Sequence, residues 1–210
     1  MKGNRVPRPM AAPGVHDAAL GLARKYLRPS AQVADLCAGE GAFSLRLLRD
    51  GYSVVAADIK NDGFSAPDVP FYTVDLQEPF AEKLGYGLYD GVVALEAIEH
   101  LENPWGFLRE CRRLATPGGI LVLSTPNVEC VLSRFVFLQT GCFLTFDRTM
   151  TNPSHITPIF SWILTHALER AGFRLVETVF TSAGWAAGHN WKFWLASRAR
   201  AASSGCIARS

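Results

Sequence analysis

The chain of 210 residues contains no CxxC pair, and its five cysteines are an odd number, so they cannot all pair with one another. This excludes a small fold held by disulfides and predicts reduced thiols in a cytoplasmic protein. No window approaches the roughly twenty consecutive apolar residues that span a bilayer. The basic, proline-rich first residues lack the apolar core of a secretory signal. A net charge of +2 is too small to indicate nucleic acid or an anionic membrane as a partner.

The composition, with 49% hydrophobic and 19% charged residues, predicts one globular domain with a sizeable core. Residues 1–14 are interpreted as a flexible lead-in, and the small residues of 199–210 as a disordered tail. Between them we expect a single domain over residues 15–198. An apolar stretch broken by glycine and proline, residues 128–157, interrupts the regular pattern and is interpreted as an insertion into that domain.

Short apolar segments alternate with amphipathic segments along most of the chain. The strand-like segments are QVADLC, YSVVAADI, PFYTVDL, LYDGVVALEAIEH and ILVLSTPN, followed later by FRLVETVF and NWKFWLASR. Apolar residues at helical spacing mark VHDAALGLARKYL, FSLRLLRDG, PWGFLRECRRLATPGG and PIFSWILTHALERAG. Because the strands are apolar on both faces, the pattern predicts an α/β fold in which helices cover both sides of a parallel sheet.

A glycine turn follows the first predicted strand in the segment DLCAGEG. Ligands of open parallel sheets bind beyond the carboxyl ends of the strands, and Gly39 and Gly41 allow a tight turn that a ligand can approach closely. Asp58, at the end of the second predicted strand, is placed to accept hydrogen bonds from a ribose diol. Because Gly39-x-Gly41-x-x-Ser44 nearly satisfies the dinucleotide fingerprint, a dinucleotide site is one interpretation.

Two further acids favour a different cofactor. Asp35 precedes the glycines at the end of its strand, where its charge repels a pyrophosphate and attracts a cationic amino-acid group. Asp75 ends the third predicted strand, where the edge of a purine can be recognised. Together they favour a cofactor that joins a purine to a cationic amino acid.

The segment LEAIEH places Glu96, Glu99 and His100 within five positions, immediately after an apolar run. If the chain turns into a helix there, the three side chains stand at i, i+3 and i+4 on one face. One interpretation is a catalytic or metal-binding cluster. The other is that Glu99 and His100 cap the loop after the strand and orient the edge of the cofactor.

Five segments resemble, in order and spacing, the motifs of class I S-adenosylmethionine-dependent methyltransferases: VADLCAGEGAF, VVAADIK, YTVDLQEPF, YDGVVALEAIEHL and LATPGGILVLSTPN. The resemblance runs from about Val15 to Phe180. It implies a Rossmann-like, seven-stranded, mostly parallel sheet with helices on both faces, whose last strand, NWKFWLASR, is antiparallel. It also implies methyl transfer from S-adenosyl-L-methionine.

The resemblance also implies which residues hold that cofactor. Asp35, Gly39 and Gly41 line its methionine moiety, and Asp58 holds its ribose. The adenine is flanked by Asp75 and Leu76, and neighbouring positions assigned to the same site are Cys37, Ala38, Ile59 and Leu95. The chain departs from the family at Cys37, where glycine is usual, and we expect a side chain there to crowd the cofactor or shift the turn.

The pattern Glu-x-x-Glu-His is similar to a segment of ubiquinone-pathway O-methyltransferases and to the metal-binding segment of small-RNA 3′-terminal 2′-O-methyltransferases. In the RNA enzymes a histidine downstream of an STPN strand completes the metal site, and His155 follows STPN in this chain. The resemblance thus implies a site that suits Mn²⁺ or Mg²⁺, with Fe²⁺, Co²⁺ or Zn²⁺ as alternatives, and its ligands are Glu96, Glu99, His100 and His155. Without a metal, His100 or His155 is the expected general base, with Glu99 beside it.

The insertion contains SRFVFLQTGCFLTF, which is strongly apolar and stands where this family builds its acceptor pocket. It is interpreted either as a segment buried against the core, or as a lid over an apolar acceptor or a surface that touches lipid. The predicted function is O-methylation of a small-molecule hydroxyl, such as a phenol, a sugar or a lipid-linked intermediate. The alternatives are 2′-O-methylation of an RNA 3′ end and a nucleotide-binding module without methyl transfer. Basic residues that could bind RNA are scattered: Arg134, Arg148, Lys192, Arg198 and Arg200.

Overall fold

Seven strands form one sheet in a computed structural model of the protein, which describes residues 6–146, 155–182 and 190–198. The strands are β1 Gln32–Leu36, β2 Ser53–Asp58, β3 Phe71–Thr73, β4 Tyr89–Leu95, β5 Ala115–Pro126, β6 Phe173–Ser182 and β7 Asn190–Arg198. Their order across the sheet is β3-β2-β1-β4-β5-β7-β6. The five strands β3, β2, β1, β4 and β5 each run parallel to their neighbours in this order. By contrast, β7 runs antiparallel to both β5 and β6. This confirms the predicted sheet with its antiparallel last strand.

The described residues also form six α-helices: α1 Val15–Tyr26, α2 Ala42–Arg49, α3 Ala81–Leu84, α4 Pro104–Leu114, α5 Val131–Thr140 and α6 Ser161–Arg170. Local chemistry sets the bounds of α4. Pro104 stands at its start, where no backbone donor is needed, and Asn103 Oδ1 accepts a hydrogen bond from Gly106 N at 2.8 Å. Arg112 and Arg113 lie in its last turn, where their charges complement the helix dipole.

Each face of the sheet carries its own hydrophobic core. Successive residues of a strand point to opposite faces, so Val33 of β1 packs in one core and Ala34 in the other. Helices α1 and α2 contribute to the first core, and α4 and α6 contribute to the second. Coverage of both faces explains the continuous apolar runs of the central strands and confirms the predicted arrangement of helices.

Two boundaries differ from the sequence-based prediction. β3 ends at Thr73, because Asp75 already belongs to a turn in which its Oδ1 accepts a hydrogen bond from Gln77 N at 2.9 Å. Helix α4 ends at Leu114, because the next residue, Ala115, pairs with Tyr89 of β4 and begins β5. The predicted extension of this helix to the Pro-Gly-Gly segment is therefore wrong.

The predicted insertion contains α5, and the predicted tail, residues 199–210, lies outside the described residues. The described part of the predicted lead-in, residues 6–14, does not extend freely into solvent. Arg8 contacts Glu40, and Ala12 contacts Glu96. In the ranges that the structure describes, no helix combines the length and the apolar character needed to cross a bilayer.

Candidate active site

The carboxyl ends of β1, β2 and β4 meet at one edge of the sheet. Leu36 of β1 pairs with Ala57 of β2 on one side and with Ala94 of β4 on the other. The glycine turn after β1 therefore lies between Asp58 and Leu95, the last residues of the two neighbouring strands. In an open α/β sheet, the crevice at such an edge is where ligands bind.

The glycine turn depends on left-handed backbone at Cys37, Gly39 and Gly41, whose φ angles are 60°, 55° and 88°. Gly39 N donates a hydrogen bond to Asp58 Oδ2 at 2.8 Å, so Asp58 ties the turn to the end of β2. A β-carbon on Gly41 would lie 2.8 Å from the β-carbon of Ala66. Gly41 is therefore required by close packing as well as by its backbone angle.

Asp35 lies beneath this turn, with only 2% of its surface exposed. The hydroxyl of Ser44, in α2, donates a hydrogen bond of 2.5 Å to Asp35 Oδ2. Burial raises the pKa of the Asp35 carboxyl to about 7, and the hydrogen bond from Ser44 opposes that shift. Asp35 thus joins β1 to α2 from inside the turn, and its charge depends on pH near neutrality.

Cys37 occupies the position where the family usually has glycine. Burial among the surrounding protein raises the pKa of its thiol to about 12, and four carboxylates add to the shift: Asp58, Glu99, Asp35 and Glu96. The residue is nevertheless exposed to solvent. Cys37 therefore lies on the exposed side of the glycine turn.

The remaining residues assigned to the cofactor differ in their exposure. Ile59 is 55% exposed, and Asp75 is also exposed, beyond the end of β3. Ala38 is half-buried, whereas Leu76 and Leu95 are buried at 8% and 9% exposure. The exposed members stand at the open edge of the sheet, and the buried ones pack beneath it.

The segment LEAIEH neither continues β4 to His100 nor forms one continuous helix. Glu96 has a left-handed φ of 52°, and its backbone N donates a hydrogen bond to Ser124 Oγ of β5 at 3.0 Å. A short 3₁₀ turn, Ile98–His100, then follows, and Ile98 is buried at 1% exposure. Because β4 pairs with β5 up to Leu95 and the chain then turns sharply, the predicted strand is too long at its end, and the three polar residues do not share one helical face.

The 3₁₀ turn and the end of the insertion bring three predicted site residues together. Glu99, His100 and His155 each offer one ligand atom, and these atoms lie within 4.8 Å of one another. The two imidazole rings meet edge to face, with centroids 4.8 Å apart. Backbone contacts fix this arrangement, because the Glu99 carbonyl accepts hydrogen bonds from Ile156 N at 2.9 Å and Thr157 N at 3.0 Å.

This cluster, Glu99 with His100 and His155, contains buried polar atoms that lack partners. Among the described residues, no hydrogen bond reaches either carboxylate oxygen of Glu99, the hydroxyl of Thr125 or Nδ1 of His155. Glu99 and Thr125 are almost fully buried, at 0% and 1% exposure. Since leaving such groups unpaired costs about 1–3 kcal/mol each, we take their convergence as the candidate site.

Burial also governs the protonation of the cluster. Burial raises the pKa of Glu99 to about 8, and the charge of Glu96 adds to the shift, whereas nearby polar groups, including Thr125, oppose it. Burial lowers the pKa of His155 to about 4, and the charge of His100 lowers it further. His155 is therefore neutral near pH 7, the form in which an imidazole can accept a proton or bind a metal ion.

Glu96, the fourth predicted ligand, lies outside this cluster. Its Oε1 accepts a hydrogen bond from Ala12 N at 2.8 Å. Burial raises the pKa of Glu96 to about 7, and the bond from Ala12 opposes the shift. The structure thus brings three of the four predicted ligands together and turns Glu96 towards the N-terminal segment.

An open apolar groove of about 350 Å³ adjoins the cluster. The groove lies between α5 and the residues that follow it, and its lining is Val136, Thr140, Cys142, Phe143, Leu144, Thr145 and Phe146. The ring of Phe146 lies 5.3 Å from the ring of His155, centroid to centroid. The described part of the insertion therefore leaves apolar surface open beside the polar cluster.

Several polar residues of the site were not assigned a role from the sequence. Ser44 donates a hydrogen bond to Asp35, and Thr125 lies beside Glu99. Both residues stand in segments that the sequence singles out: Ser44 in the glycine fingerprint and Thr125 in STPN. Of the other histidines, His16 packs against Phe43 at the start of α1, and His166 is exposed on α6. Neither belongs to the cluster, and His189 lies outside the described residues.

Comparison with known families agrees with this architecture. A family model described as a methyltransferase domain matches residues 10–178, which covers most of the chain and includes the glycine turn and the cluster. The chain therefore belongs to the class I S-adenosylmethionine-dependent methyltransferases.

The similarity to individual curated proteins covers less than half of the chain. The chain is 31% identical over 102 residues to a ubiquinone biosynthesis O-methyltransferase of Caulobacter vibrioides, a match that covers 44% of this chain and 40% of the relative. It is 37% identical over 97 residues to a probable S-adenosylmethionine-dependent methyltransferase of Mycolicibacterium smegmatis, covering 45% and 33%. The chain thus spans less than half the length of these relatives.

Among solved structures, a putative methyltransferase from Bacillus halodurans superposes with a TM-score of 0.69 at 17% identity. The match covers 88% of this chain and 98% of that one. At this identity the likeness concerns the fold alone, and it agrees with the strand order described above.

Proposed function

We propose that the protein transfers the methyl group of S-adenosylmethionine to a hydroxyl of a small apolar or aromatic acceptor at the cluster of Glu99, His100 and His155. The supporting observation is that the cofactor turn, the buried polar cluster and the apolar groove adjoin one another. The glycine turn follows β1 and the cluster follows β4, and these two strands pair side by side up to Leu36 and Ala94, so the turn and the cluster lie at the same edge of the sheet. Phe146 contacts His155, so the groove faces the cluster.

In this reaction the acceptor oxygen forms a bond to the methyl carbon while the bond between that carbon and sulfur breaks. The products are a methyl ether and S-adenosylhomocysteine, and the hydroxyl proton passes to an imidazole, for which Nδ1 of His155 is the candidate, with His100 beside it. Because the sulfonium is already a strong electrophile, the protein supplies mainly alignment and a proton acceptor. Alignment alone can contribute ~7–11 kcal/mol to the lowering of the barrier.

The donor set of the cluster also fits a divalent metal ion. A buried carboxylate without a hydrogen-bond partner and two imidazoles within 4.8 Å of it form an oxygen–nitrogen set of the kind that Mn²⁺ accepts, and Mg²⁺ is the alternative. A bound ion would lower the pKa of an acceptor hydroxyl and orient it. Thr125, at 1% exposure, stands beside Glu99.

The acceptor is inferred from the groove. Its volume of about 350 Å³ lies within the range of small-molecule sites, and its lining is largely apolar with two phenylalanine rings. Partial similarity to ubiquinone biosynthesis O-methyltransferases supports a hydroxyl on an aromatic or lipid-linked molecule. We therefore favour a phenolic acceptor.

Helix α5 supports contact with a lipid surface as part of this proposal. Its apolar side chains point outwards, with Val131 85%, Phe135 55% and Leu138 82% exposed. Its only charged residue is Arg134, which is compatible with lipid headgroups. Because α5 also borders the groove, a lipid-linked acceptor could pass from the surface to the cluster.

Methylation of the 2′-hydroxyl at an RNA 3′ end is the second candidate. The observation in its favour is that His155, expected from the resemblance to the RNA enzymes, lies beside Glu99 and His100. Binding of short RNA that weakens steeply with salt would support it, because phosphate contacts release counterions. Methylation of a phenol without RNA binding would exclude it.

The test of the metal is calorimetric titration of Mn²⁺ into protein saturated with S-adenosylhomocysteine. We expect micromolar binding that Glu99→Gln and His155→Ala abolish and that His166→Ala, on the exposed side of α6, leaves intact. Binding of S-adenosylhomocysteine without any binding of Mn²⁺ would show that the metal part of the proposal is wrong. Binding of NAD in place of S-adenosylhomocysteine would favour a nucleotide-binding module without methyl transfer.

The test of the reaction is incorporation of labelled methyl groups into simple phenols. We expect His155→Ala to lower the turnover strongly while its affinity for S-adenosylhomocysteine stays close to that of the wild type. Equal turnover of His155→Ala and wild type would contradict the role of this imidazole.

A further inference from the structure

The described residues before α1 cross the opening of the cofactor site. We call residues 8–12 the N-terminal strap. At one end of the strap, Arg8 contacts Glu40 of the glycine turn through its backbone N at 2.9 Å and through Nη2 at 3.0 Å. At the other end, Ala12 N donates a hydrogen bond to Glu96 Oε1 at 2.8 Å. The strap therefore joins the turn after β1 to the end of β4.

Between these two attachments the strap passes over the turn itself. A β-carbon added to Gly39 would lie 3.4 Å from Cγ of Met10, so the strap is in contact range of the turn. Met10 is 76% exposed, which means that the strap forms the outermost layer here. The strap therefore covers the glycine turn on its solvent side.

The side chain of Glu96 is held in the orientation that this attachment needs. Its left-handed backbone, at φ 52°, and the hydrogen bond from its N to Ser124 Oγ fix the start of the side chain. Oε1 of Glu96 then accepts the hydrogen bond from Ala12 N, so the attachment needs an acceptor oxygen at this position. By contrast, Arg8 is 73% exposed, so its ion pair with Glu40 is weak enough to open reversibly.

We propose that the N-terminal strap is a lid that retains the cofactor, and that Glu96 is its latch rather than a ligand in the cluster. The strap leaves Glu40 and Glu96 when the cofactor enters or departs, and it closes again over the occupied site. This inference rests on the cofactor site of the family and is independent of the metal and of the acceptor proposed above.

The test has two readouts in the full-length protein. The first is hydrogen–deuterium exchange of the Met10–Ala12 amides in cofactor-free protein. The second is the dissociation rate of radiolabelled S-adenosylhomocysteine in a chase with unlabelled compound. We expect Glu96→Ala to speed dissociation about tenfold, because it removes the oxygen that accepts the hydrogen bond from Ala12 N. We expect Arg8→Ala to speed it about fivefold or less, because its ion pair is exposed. Both variants should also speed exchange.

Two variants make the result specific. Glu96→Gln keeps an oxygen that accepts from Ala12 N, so exchange and dissociation should stay close to those of the wild type. Arg24→Ala removes an ion pair of similar exposure between Arg24 and Asp50, on the same N-terminal half of the chain but away from the strap, and should change neither rate.

Unchanged rates in both Arg8→Ala and Glu96→Ala would refute the lid. Rates in Glu96→Gln that match those of Glu96→Ala would refute the latch, because the carboxylate charge would then be what matters. Absence of S-adenosylhomocysteine binding in the wild type would instead refute the cofactor assignment, and exchange in the cofactor-free protein would still report on the strap.

Discussion

Replacing Asp35 by asparagine should stabilise the cofactor-free protein at alkaline pH. Asp35 is 2% exposed, and burial raises the pKa of its carboxyl from 3.8 to about 7. A difference of about three pKa units corresponds to about 4 kcal/mol of folding free energy, at 1.36 kcal/mol per unit. The side-chain amide introduced by Asp35→Asn keeps an oxygen that accepts the Ser44 hydrogen bond, so the substitution removes the charge without breaking that contact.

The pH dependence has a definite sign. Between pH 4 and pH 7 the folded protein holds a proton on Asp35 that the unfolded chain has released, so stability falls as the pH rises through this window. Below about pH 4 both states are protonated, and the destabilising contribution disappears. The gain from Asp35→Asn should therefore be about 4 kcal/mol at pH 8, about 2 kcal/mol at pH 5 and close to zero well below pH 4.

Urea denaturation of both proteins at pH 4, 5 and 8, without cofactor, measures this gain. Ser44→Ala is the control, because it removes the hydrogen bond that opposes the shift and should lower stability most at pH 8. A gain that does not change with pH, or a loss of stability at pH 8, would refute the reasoning. If the gain is found, the charge of Asp35 is retained at a cost to stability, as expected of a residue that serves cofactor binding.

Three other substitutions test the turn and α5. Cys37→Gly should raise the free energy of unfolding by about 1 kcal/mol in urea, because a left-handed φ of 60° strains a residue with a β-carbon; a decrease would contradict this. Gly41→Ala should lower the free energy of unfolding by about 3 kcal/mol, and Gly51→Ala by about 1 kcal/mol. Both glycines have φ near 90°, but only at Gly41 would the added β-carbon lie within 2.8 Å of another side chain. Equal losses, measured by thermal unfolding, would show that packing contributes nothing. Phe135→Glu should reduce the fraction of protein that floats with phosphatidylcholine vesicles. Tyr86→Glu, which changes a similarly exposed residue before β4, should not reduce it. Equal effects of the two substitutions would argue against membrane contact through α5.

The sequence predicts the glycine turn well because the turn is determined locally. Gly39 and Gly41 have the left-handed angles that their spacing indicates, and Asp58 reaches the turn from the next strand, as expected where parallel strands end side by side. The antiparallel last strand was expected from the family resemblance and is confirmed. These features need only short-range chemistry or a shared fold.

The environment of Glu96 could not be predicted, because its partner is distant in sequence. Ala12 N lies 84 residues away, and nothing in the proline-rich lead-in indicates that it contacts the end of β4. The helical spacing of Glu96 with Glu99 and His100 was a false guide, since pairing with β5 keeps the chain extended up to Leu95 and a sharp turn follows. Long-range hydrogen bonds overrode the local pattern.

The position of β7 has a consequence for how the protein is made. The last strand in sequence lies between β5 and β6, in the interior of the sheet, and pairs with both through antiparallel ladders. Until Asn190–Arg198 leaves the ribosome, β5 and β6 each present an unpaired edge, and such edges invite pairing with other chains. The cofactor edge, built by β1, β2 and β4, can form earlier. Nascent chains would thus pass through an interval in which the ligand-binding half is assembled while the other half depends on protection from aggregation.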